Sequence, residues 1–388
     1  MKKERLVIFV CTAISLLFLI SHMCVFRNVY QLPKYWINDT KAPALNNFSG
    51  LPATSIVTSK ESIQSVQTND SGSRINTLMT KSRLQTIQNL YGKSWNSIIT
   101  HYPTKYMIDG KDICDVSPPP YLLVFVLSLP KNTEERRAIR ETWGSVINKN
   151  NNSLNISARM MFMLGKMRHE ITQNNELREE SEKHKDIVQV DLMESRYNLT
   201  RKMMSGLQWV TTYCNTVKYI LKTDDDTFIN TARFSEYLLR TPNINNVTIH
   251  GWVYTHGLVR RDGKYKVQVE EYPKSVFPHL TCGTAFILPF DVISDMLDIA
   301  ERVPYCPVDD AFMTGVLRTI LGLKIQHSAD FTHMDEGTID PCRFYSKIAV
   351  TNISPTCMHM LWNLTTQVPR MDCKRKDLHD LKVCPLFS

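Results

Sequence analysis

The chain has 388 residues, of which 43% are hydrophobic and 22% charged, and its formal net charge is +8. This hydrophobic content is ample for a buried core, and the length predicts one large domain together with additional segments. The basic excess is modest for the length and the basic runs are short, so the composition argues against a nucleic-acid-binding protein.

The first feature along the chain is an apolar segment, Leu6–Phe26, which contains no Asp, Glu, Lys or Arg. At about 1.5 Å per residue, such a helix spans the roughly 30 Å hydrocarbon core of a bilayer. Lys2, Lys3 and Arg5 precede it. A cleaved signal peptide is the alternative, but the apolar run is long and no clean small-x-small cleavage site follows it. By the positive-inside tendency, we expect a retained single-pass signal-anchor, with residues 1–5 as a cytoplasmic tail.

Cysteines and sequons agree with the secretory pathway. Two of the ten cysteines lie in the apolar segment, and the eight that remain suggest disulfides in an oxidising compartment. Eight cysteines allow about 105 pairings, and the sequence does not choose among them. A zinc site is the alternative, but no C-x-x-C pair occurs. N-x-S/T sequons, which are glycosylation acceptors, begin at Asn38, Asn47, Asn69, Asn151, Asn155, Asn198, Asn246, Asn352 and Asn363.

Residues 27–116 have the composition of a flexible stem. They lack long apolar periodicity and are rich in Ser, Thr, Asn and Gln. Within them, only Lys81–Tyr91 is expected to form a short helix. Three prolines at 118–120, which cannot continue a helix, mark the change to a folded domain at 117–388.

The folded domain begins with alternating strands and helices. The predicted strands are Tyr121–Leu129, Arg159–Leu164, Ile187–Val190 and Lys218–Thr223, and the predicted helices between them are 132–144, 170–183 and 199–214. This alternation indicates an α/β fold with a mainly parallel central sheet and helices on both faces. Further along, we expect strands at Val247–Tyr254, Lys264–Val269 and Ala285–Leu288, and helices at Asp291–Arg302 and Asp310–Leu321. There is no GxGxxG or GxxxxGK[ST] loop to support a dinucleotide fold or a P-loop.

Three consecutive acids, Asp224, Asp225 and Asp226, end the strand candidate at 218–223. Carboxylates gathered at the end of a buried strand repel one another and need a cation, and oxygen ligands favour a hard divalent metal. A solvated acidic turn is the alternative, but the strand runs directly into the acids and fixes them at the sheet edge, where ligands bind in open α/β sheets. The triplet therefore predicts a metal that bridges a diphosphate and neutralises the charge that develops on it.

Two further groups of residues can carry chemistry. Arg140 and either Arg136 or Arg137 lie on one helix face, and arginine offers paired donors to phosphate. On spacing alone, a surface helix with Arg–Glu pairs is the better explanation of these arginines. Asp309 and Asp310 open a predicted helix. A carboxylate there is either a helix cap or a general base for an acceptor hydroxyl.

Several sequence blocks occur together in a familiar order. They are RRAIRETWG at 136–144, Phe162–Gly165, Tyr197–Thr200, KTDDDTFIN at 222–230 and DDAFMTG at 309–315. In this order they resemble the inverting β-1,3-glycosyltransferases of the β-1,3-galactosyltransferase and N-acetylglucosaminyltransferase type, whose relatives include the fringe proteins. The resemblance covers about residues 117–365.

The resemblance implies a GT-A type fold, with 117–388 as the catalytic domain. It also implies a UDP-sugar donor, Mn²⁺ or another divalent cation, and an acceptor glycan on a glycoprotein or glycolipid. Together with the predicted anchor, it implies a type II protein of the Golgi membrane whose catalytic domain is luminal.

The resemblance also implies roles for individual residues. Asp226 would be the metal ligand, and Asp224 and Asp225 would support the ribose, the sugar or the metal-bound water. Asp310 would be the general base, with Asp309 beside it in the substrate site. The nucleotide would be faced by Arg136, Arg137 and Arg140.

Three departures from the family pattern matter. Asp309 replaces the family's Glu, and the Tyr-Pro-rich block is altered at Phe277–Cys282. A late metal-binding histidine is replaced by Thr351, so its role would fall to water or to His327, His333 or His359. This loss motivates one alternative, a catalytically weak or inactive relative that acts as a chaperone of another glycosyltransferase. A glycan-binding lectin is a third possibility.

Overall fold

The computed structural model describes residues 79–95, 97–147, 156–167, 171–241, 247–331 and 346–367. The predicted anchor at 6–26 lies outside these residues, as does the predicted stem up to residue 78. None of the helices in the described ranges is long and apolar enough to cross a membrane.

A mixed sheet forms the centre of the molecule. The strands are β1 (Tyr106–Ile108), β2 (Leu122–Leu127), β3 (Ala158–Lys166), β4 (Ile187–Met193), β5 (Tyr219–Asp224), β6 (Phe228–Ile229), β7 (Thr248–Tyr254), β8 (Gly257–Leu258), β9 (Val276–Phe277), β10 (Leu280–Pro289), β11 (Lys324–His327) and β12 (Ala349–Val350). Within the described residues, eight of them form one sheet in the order β1-β4-β3-β2-β5-β10-β7-β11. β2 to β5 are mutually parallel, as predicted, whereas β10 is antiparallel to both β5 and β7.

Helices cover both faces of this sheet. They are α1 (Lys81–Tyr91), α2 (Thr133–Glu141), α3 (Ile171–His184), α4 (Leu199–Tyr213), α5 (Thr231–Arg240), α6 (Ile293–Ala300), α7 (Arg318–Leu321) and α8 (Pro355–Gln367). Successive residues of a strand point to opposite faces. Phe125 of β2 accordingly packs in one hydrophobic cluster with Leu207 of α4, and Val124 packs in the other with Ile139 of α2. The predicted α/β fold is therefore confirmed.

The segment 79–116, predicted as part of a stem, is folded onto this domain. Helix α1 has the bounds predicted from the sequence, is capped by the Thr80 side chain and ends at Gly92, whose φ is +75°. Ile87 is fully buried, and the Tyr91 ring meets Tyr272 edge-on at 5.6 Å. A disulfide between Cys114 and Cys214 joins the segment to the end of α4. This part of the chain thus belongs to the folded unit and not to a stem.

The second half of the domain departs most from the sequence prediction. Lys264–Val269 alternates polar and apolar residues like a strand, yet it forms turns and extended loop without a strand partner in the described structure. Val267 is buried there, and its N–H donates to Arg260 O at 2.9 Å within the loop. Helices α5 and α8 were not predicted. Strand β10 is longer than the predicted Ala285–Leu288, because it continues to Leu280 along β7.

Candidate active site

The acidic triplet lies at the carboxyl edge of the parallel strands. Asp224 ends β5 and pairs with Leu127, the last residue of β2. The Asp225 N–H donates to Leu127 O at 3.1 Å, and Asp226 O accepts from the N–H of Ile353 at 2.8 Å. The backbone on both sides of the triplet is therefore fixed, at the edge where the sequence predicted it.

Each acid of the triplet has a different neighbour. Asp225 Oδ2 accepts a hydrogen bond from Asn132 Nδ2 at 3.0 Å, and Asp226 Oδ1 accepts from Thr351 Oγ1 at 3.2 Å. Burial raises the pKa of all three carboxyls, that of Asp224 to about 6, and for Asp226 the charge of Asp225 adds to the effect of burial. A raised pKa means that the ionised form is disfavoured, so a bound cation would stabilise this cluster.

Lys222 connects the triplet to a second pair of acids. Its side chain is buried, and Nζ donates to Asp224 Oδ1 at 2.8 Å and to Gly283 O at 2.6 Å. The same Nζ is 3.7 Å from Asp309 Oδ2. Burial alone would lower the pKa of Lys222, but the charges of Asp224 and Asp309 outweigh burial and raise it. Lys222 is thus a buried ammonium ion shared by both acidic groups, a role that was not predicted.

Asp309 and Asp310 form that second pair. Asp309 is buried, and its Oδ2 has no hydrogen-bond partner among the described atoms. Asp310 Oδ1 accepts from the N–H of Ala311 at 2.7 Å. A Cβ atom on Gly283 would lie 3.1 Å from Asp310 Oδ2, so the absence of a side chain at Gly283 leaves room beside the carboxylate. Burial, together with the charge of Asp309, raises the pKa of Asp310 to about 7, which suits a group that must accept a proton near neutral pH.

The helix that follows Asp310 is unusual. Ala311–Leu317 is a π-helix that continues into α7. Asp310 caps it, and the Asp310 carbonyl also accepts from Thr314 Oγ1 at 2.7 Å. The capping alternative for Asp310 and the general-base alternative are therefore compatible, since only Oδ1 is engaged by the cap. Single π-helical turns occur often at functional sites.

The structure corrects the prediction that Arg136 and Arg140 face a nucleotide. Arg136 is fully buried, and its donors go to Glu180 and to carbonyls and hydroxyls of residues 128–133. Arg140 holds Asp186 through two hydrogen bonds of 2.8 Å and also donates to Glu180. The helical spacing does place both on one face of α2, but that face meets carboxylates from α3 and from the start of β4. Arg137 is exposed and pairs with Glu134, so its predicted contact with the nucleotide stays a prediction.

Two buried cations support the loop after β2, which contacts Asp225 through Ser128 and Asn132. Arg136 Nη1 donates to Ser128 Oγ at 3.1 Å, and Lys202 Nζ donates to Ser128 O at 2.8 Å. Lys202 is in turn neutralised by Glu194, 2.8 Å away. Ser128 follows β2 directly and contributes a hydrogen bond that lowers the pKa of Asp225 against the larger effect of burial. One feature of the sequence indicates that Lys202 and Lys222 are buried cations, namely that each lysine lies inside an otherwise apolar pattern.

His327 and His359 are the histidine candidates within the described residues, and neither forms a hydrogen bond to the acidic triplet there. His327 Nδ1 accepts from the N–H of Val253 at 3.1 Å, and His359 Nε2 lies 3.3 Å from Glu141. His333 lies outside the described residues. In the described part of the chain, no group of three or more His, Cys, Asp or Glu side chains is arranged to hold a metal ion. Asp226 with its hydroxyl neighbours nevertheless fits a cation of the Mg²⁺ or Mn²⁺ type, since such ions bind through one or two carboxylates and complete their coordination with water and phosphate.

Comparison with known proteins identifies the family. Residues 134–329 match the family model described as Galactosyltransferase. β-1,3-Galactosyltransferase 5 of Pan paniscus is 31% identical over 248 residues, which are 63% of this chain and 80% of that protein. This chain belongs to the β-1,3-glycosyltransferase family. Mus musculus β-1,3-galactosyltransferase 1 is a further relative of this glycosyltransferase, 29% identical over 279 residues that cover 71% of this chain and 82% of the relative.

The recognition of the family from ordered blocks is thereby confirmed, as is its transferase character. The α/β class is confirmed by the described sheet and helices themselves. The solved apo structure of the bifunctional glycosyltransferase WbbM matches this transferase with a TM-score of 0.32 and 9% identity, over 54% of this chain and 39% of that chain. A match this loose carries no argument about the activity of the present protein.

Proposed function

We propose that this glycosyltransferase transfers a hexose or N-acetylhexosamine from a UDP-sugar to a hydroxyl of an acceptor glycan, with inversion, to form a β-1,3 linkage. The observation that supports this most is the position of Lys222, within 2.8 Å of Asp224 and 3.7 Å of Asp309. Lys222 therefore links two acidic groups. The triplet Asp224–Asp226 is suited to bind a cation and a diphosphate, and the pair Asp309–Asp310 is suited to accept a proton.

On the donor side, Asp226 would hold a divalent cation such as Mn²⁺, with Thr351 orienting its carboxylate and Asp224 and Asp225 adjacent. When bound, the cation supplies positive charge that stabilises the departing UDP. Asn132 fixes the Asp225 carboxylate, and the backbone hydrogen bond from Asp225 to Leu127 fixes the turn. These residues are held in place before the donor arrives, so little reorganisation is needed during the reaction.

On the acceptor side, Asp310 takes the proton from the attacking hydroxyl. The hydroxyl oxygen then forms a bond to the anomeric carbon while the bond from that carbon to the UDP oxygen breaks, and the configuration inverts. The cap from the Ala311 N–H holds Oδ1, and Gly283 leaves space at Oδ2. General-base catalysis of this kind contributes about 10²–10⁴-fold to the rate.

The donor, the acceptor and the location form part of this proposal. UDP-galactose is the first donor to test, because the relatives named above are galactosyltransferases. The acceptor would be a glycan of a glycoprotein or glycolipid. The apolar segment Leu6–Phe26 supports a type II protein anchored in the Golgi membrane with its catalytic domain in the lumen.

A donor panel with the full chain tests the proposal. UDP-galactose, UDP-N-acetylglucosamine and UDP-N-acetylgalactosamine are supplied with and without Mn²⁺ to acceptors that end in a free 3-hydroxyl. We expect transfer from one donor, loss with EDTA and recovery with Mn²⁺. Asp310→Asn should lose at least about 100-fold in kcat, whereas the exposed control Asp112→Asn should not change.

Failure with every donor would overturn the proposal. The alternative of a non-catalytic partner of another transferase is motivated by Thr351, which stands where many relatives carry a histidine. It predicts no transfer, and UDP binding that does not depend on Mn²⁺. A lectin predicts glycan binding with no binding of UDP.

A further inference from the structure

Two cavities adjoin one another beside segment 304–308, which leads to Asp309 and Asp310. The larger has a volume of about 610 Å³ and the smaller one of about 230 Å³. Three segments of the chain, 196–201, 268–271 and 304–308, each supply residues to both cavities. Cavities that share three segments of backbone are separated by a common wall and are direct neighbours.

The common wall is a packed group of Tyr197, Tyr305 and Arg201. The two tyrosine rings are 5.3 Å apart, and the Arg201 guanidinium lies 3.8 Å from the centre of the Tyr305 ring. The Tyr305 hydroxyl donates to the Tyr197 carbonyl oxygen. Tyr197 lines the smaller cavity, and Arg201 and Tyr305 line the larger one. A wall held by ring contacts and a hydrogen bond keeps both cavities in a fixed relation.

The smaller cavity is lined by the segment that leads to the candidate base. Pro307 and Val308 line it and come immediately before Asp309 and Asp310. The Val308 carbonyl also accepts from the N–H of Phe312, in the π-helix that Asp310 caps. Of the two cavities, the smaller is therefore the one whose lining continues along the chain into the candidate base.

The lining of both cavities is basic. Five basic side chains and two carboxylates line them. The smaller cavity has the basic residues Arg196, Lys264 and Lys266 and the acidic Glu271. The larger cavity has the basic residues Lys93 and Arg201 and the acidic Glu270. Glu271 is already used inside the protein, because its Oε1 accepts from the Tyr197 hydroxyl at 2.6 Å and its Oε2 accepts from the Gln268 N–H at 2.7 Å. The balance of charge that a ligand meets is therefore positive.

Aromatic rings accompany the cations. Trp95 lines the larger cavity, with Lys93 Nζ 5.2 Å from its ring centre. Tyr265 lines the smaller cavity, with Arg196 at 5.2 Å. Flat aromatic faces beside a few charged groups can bind the C–H faces of sugar rings while the charges fix an anionic substituent. The volume of the larger cavity lies within the range of about 300–1,000 Å³ usual for sites that bind small ligands.

From these observations, and resting on the proposed function, we propose that the two cavities form one binding track for an extended, acidic acceptor glycan. The glycan carries carboxylate or sulfate groups on sugars beyond the one that receives the new linkage. The smaller cavity holds the sugars next to the reacting hydroxyl, and the larger cavity holds the outer acidic sugars. The track selects acceptors by charge, at a distance from the bond that forms.

The test compares acceptors that share one backbone. The full chain is assayed with a short neutral acceptor, an extended neutral one and the same extended backbone bearing sulfate or sialic acid. We expect kcat/KM for the acidic form to exceed that of the extended neutral form by roughly tenfold at low salt, and the preference to shrink as salt rises. Sulfated and sialylated arms distinguish the two sources of negative charge.

Charge reversal in each cavity identifies the residues. Lys93→Glu and Lys266→Glu should each reduce the ratio of acidic to neutral kcat/KM by roughly threefold to tenfold. Lys183→Glu on α3 makes the same change of charge at an exposed residue that lines neither cavity, and should leave the ratio unchanged. Binding of the same three glycans to the full chain without donor gives a readout that does not need catalysis.

Failure of this inference differs from failure of the proposed function. Transfer to the short neutral acceptor, with no preference for acidic glycans and no effect of Lys93→Glu, would overturn the track alone. Absence of transfer to any acceptor would overturn the proposed function. In that case the donor-free binding measurement still decides the track, since equal binding of acidic and neutral glycans contradicts it.

Discussion

Thr351 Oγ1 donates a hydrogen bond to Asp226 Oδ1 over 3.2 Å, although the two residues are 125 positions apart. A two-stranded ribbon brings them together, because β12 ends just before Thr351 and pairs with β6 just after Asp226. Thr351 stands at the position that the family resemblance assigns to a late metal-binding histidine. The hydrogen bond places a hydroxyl directly beside the candidate metal ligand, where the resemblance predicts an imidazole.

Thr351→His should therefore tighten the binding of Mn²⁺ by roughly tenfold, because an imidazole nitrogen can serve as a direct ligand, unlike a hydroxyl that donates to a carboxylate. The measurement is a titration of the protein with Mn²⁺ in the presence of UDP, followed by the electron paramagnetic resonance of free Mn²⁺. Thr351→Val is the matched control, since it keeps the branched shape and removes the donor. If Thr351→His bound Mn²⁺ no better than Thr351→Val, this site would not be the metal site.

The raised pKa of Asp310 predicts a specific pH dependence of transfer activity. Its pKa is raised to about 7 by burial and by the charge of Asp309, and a general base works only when deprotonated. The value of kcat/KM for transfer should therefore fall about tenfold for each pH unit below this midpoint and become flat above it. Asp309→Asn removes one cause of the raised pKa, so the midpoint should move to lower pH. A profile that keeps its midpoint in Asp309→Asn would contradict the coupling between the two acids.

Lys222→Met should destabilise the fold by about 3–5 kcal/mol at pH 8, because it leaves the buried Asp309 without a cation and removes the ion pair of the partly exposed Asp224. The loss should be smaller at pH 5.5, where more of the Asp224 carboxyl is protonated, since burial raises its pKa to about 6. Urea unfolding at both pH values measures this difference.

Lys218→Met is the control for that experiment, since Lys218 is exposed just before the same strand and its loss should cost less than about 0.5 kcal/mol. The pH profile gives a second readout for Lys222. Because the Lys222 charge lowers the pKa of Asp310, its removal should move the midpoint of transfer to higher pH. An unchanged midpoint would limit Lys222 to a structural role.

The parallel half of the fold and the position of the acids could be predicted from sequence, because both depend on local pattern. A strand buried on both faces appears as a continuous apolar run, as in β2, and Asp224 directly follows such a run. The signals that define helix α1 are equally local, since Thr80 caps its start and Gly92 ends it. The folding of that helix onto the domain was not predicted, since its contact with Tyr272 joins residues far apart in the chain.

The rest depends on contacts that sequence spacing does not contain. Arg136 and Arg140 lie on one face of α2 as predicted, but the spacing gives no sign that the face is turned toward Glu180. Lys222 lies inside an apolar strand. Its role as a shared cation depends on the contact with Asp309, which is far away in the sequence. Lys264–Val269 has the alternation of a strand but lies where the described structure offers it no partner strand.

Arg136→Ala and Arg137→Ala should therefore behave in opposite ways, although the residues are neighbours. Arg136 is fully buried and paired with Glu180, so its removal should cost about 3–5 kcal/mol of unfolding free energy. Arg137 is exposed and paired with Glu134, so its removal should cost less than about 1 kcal/mol. Thermal unfolding checks both values, and UDP binding at a temperature where both variants are folded tests the nucleotide contact. If Arg136→Ala stayed as stable as the wild type while losing UDP binding, the arginine would act on the nucleotide and not on the loop at Ser128.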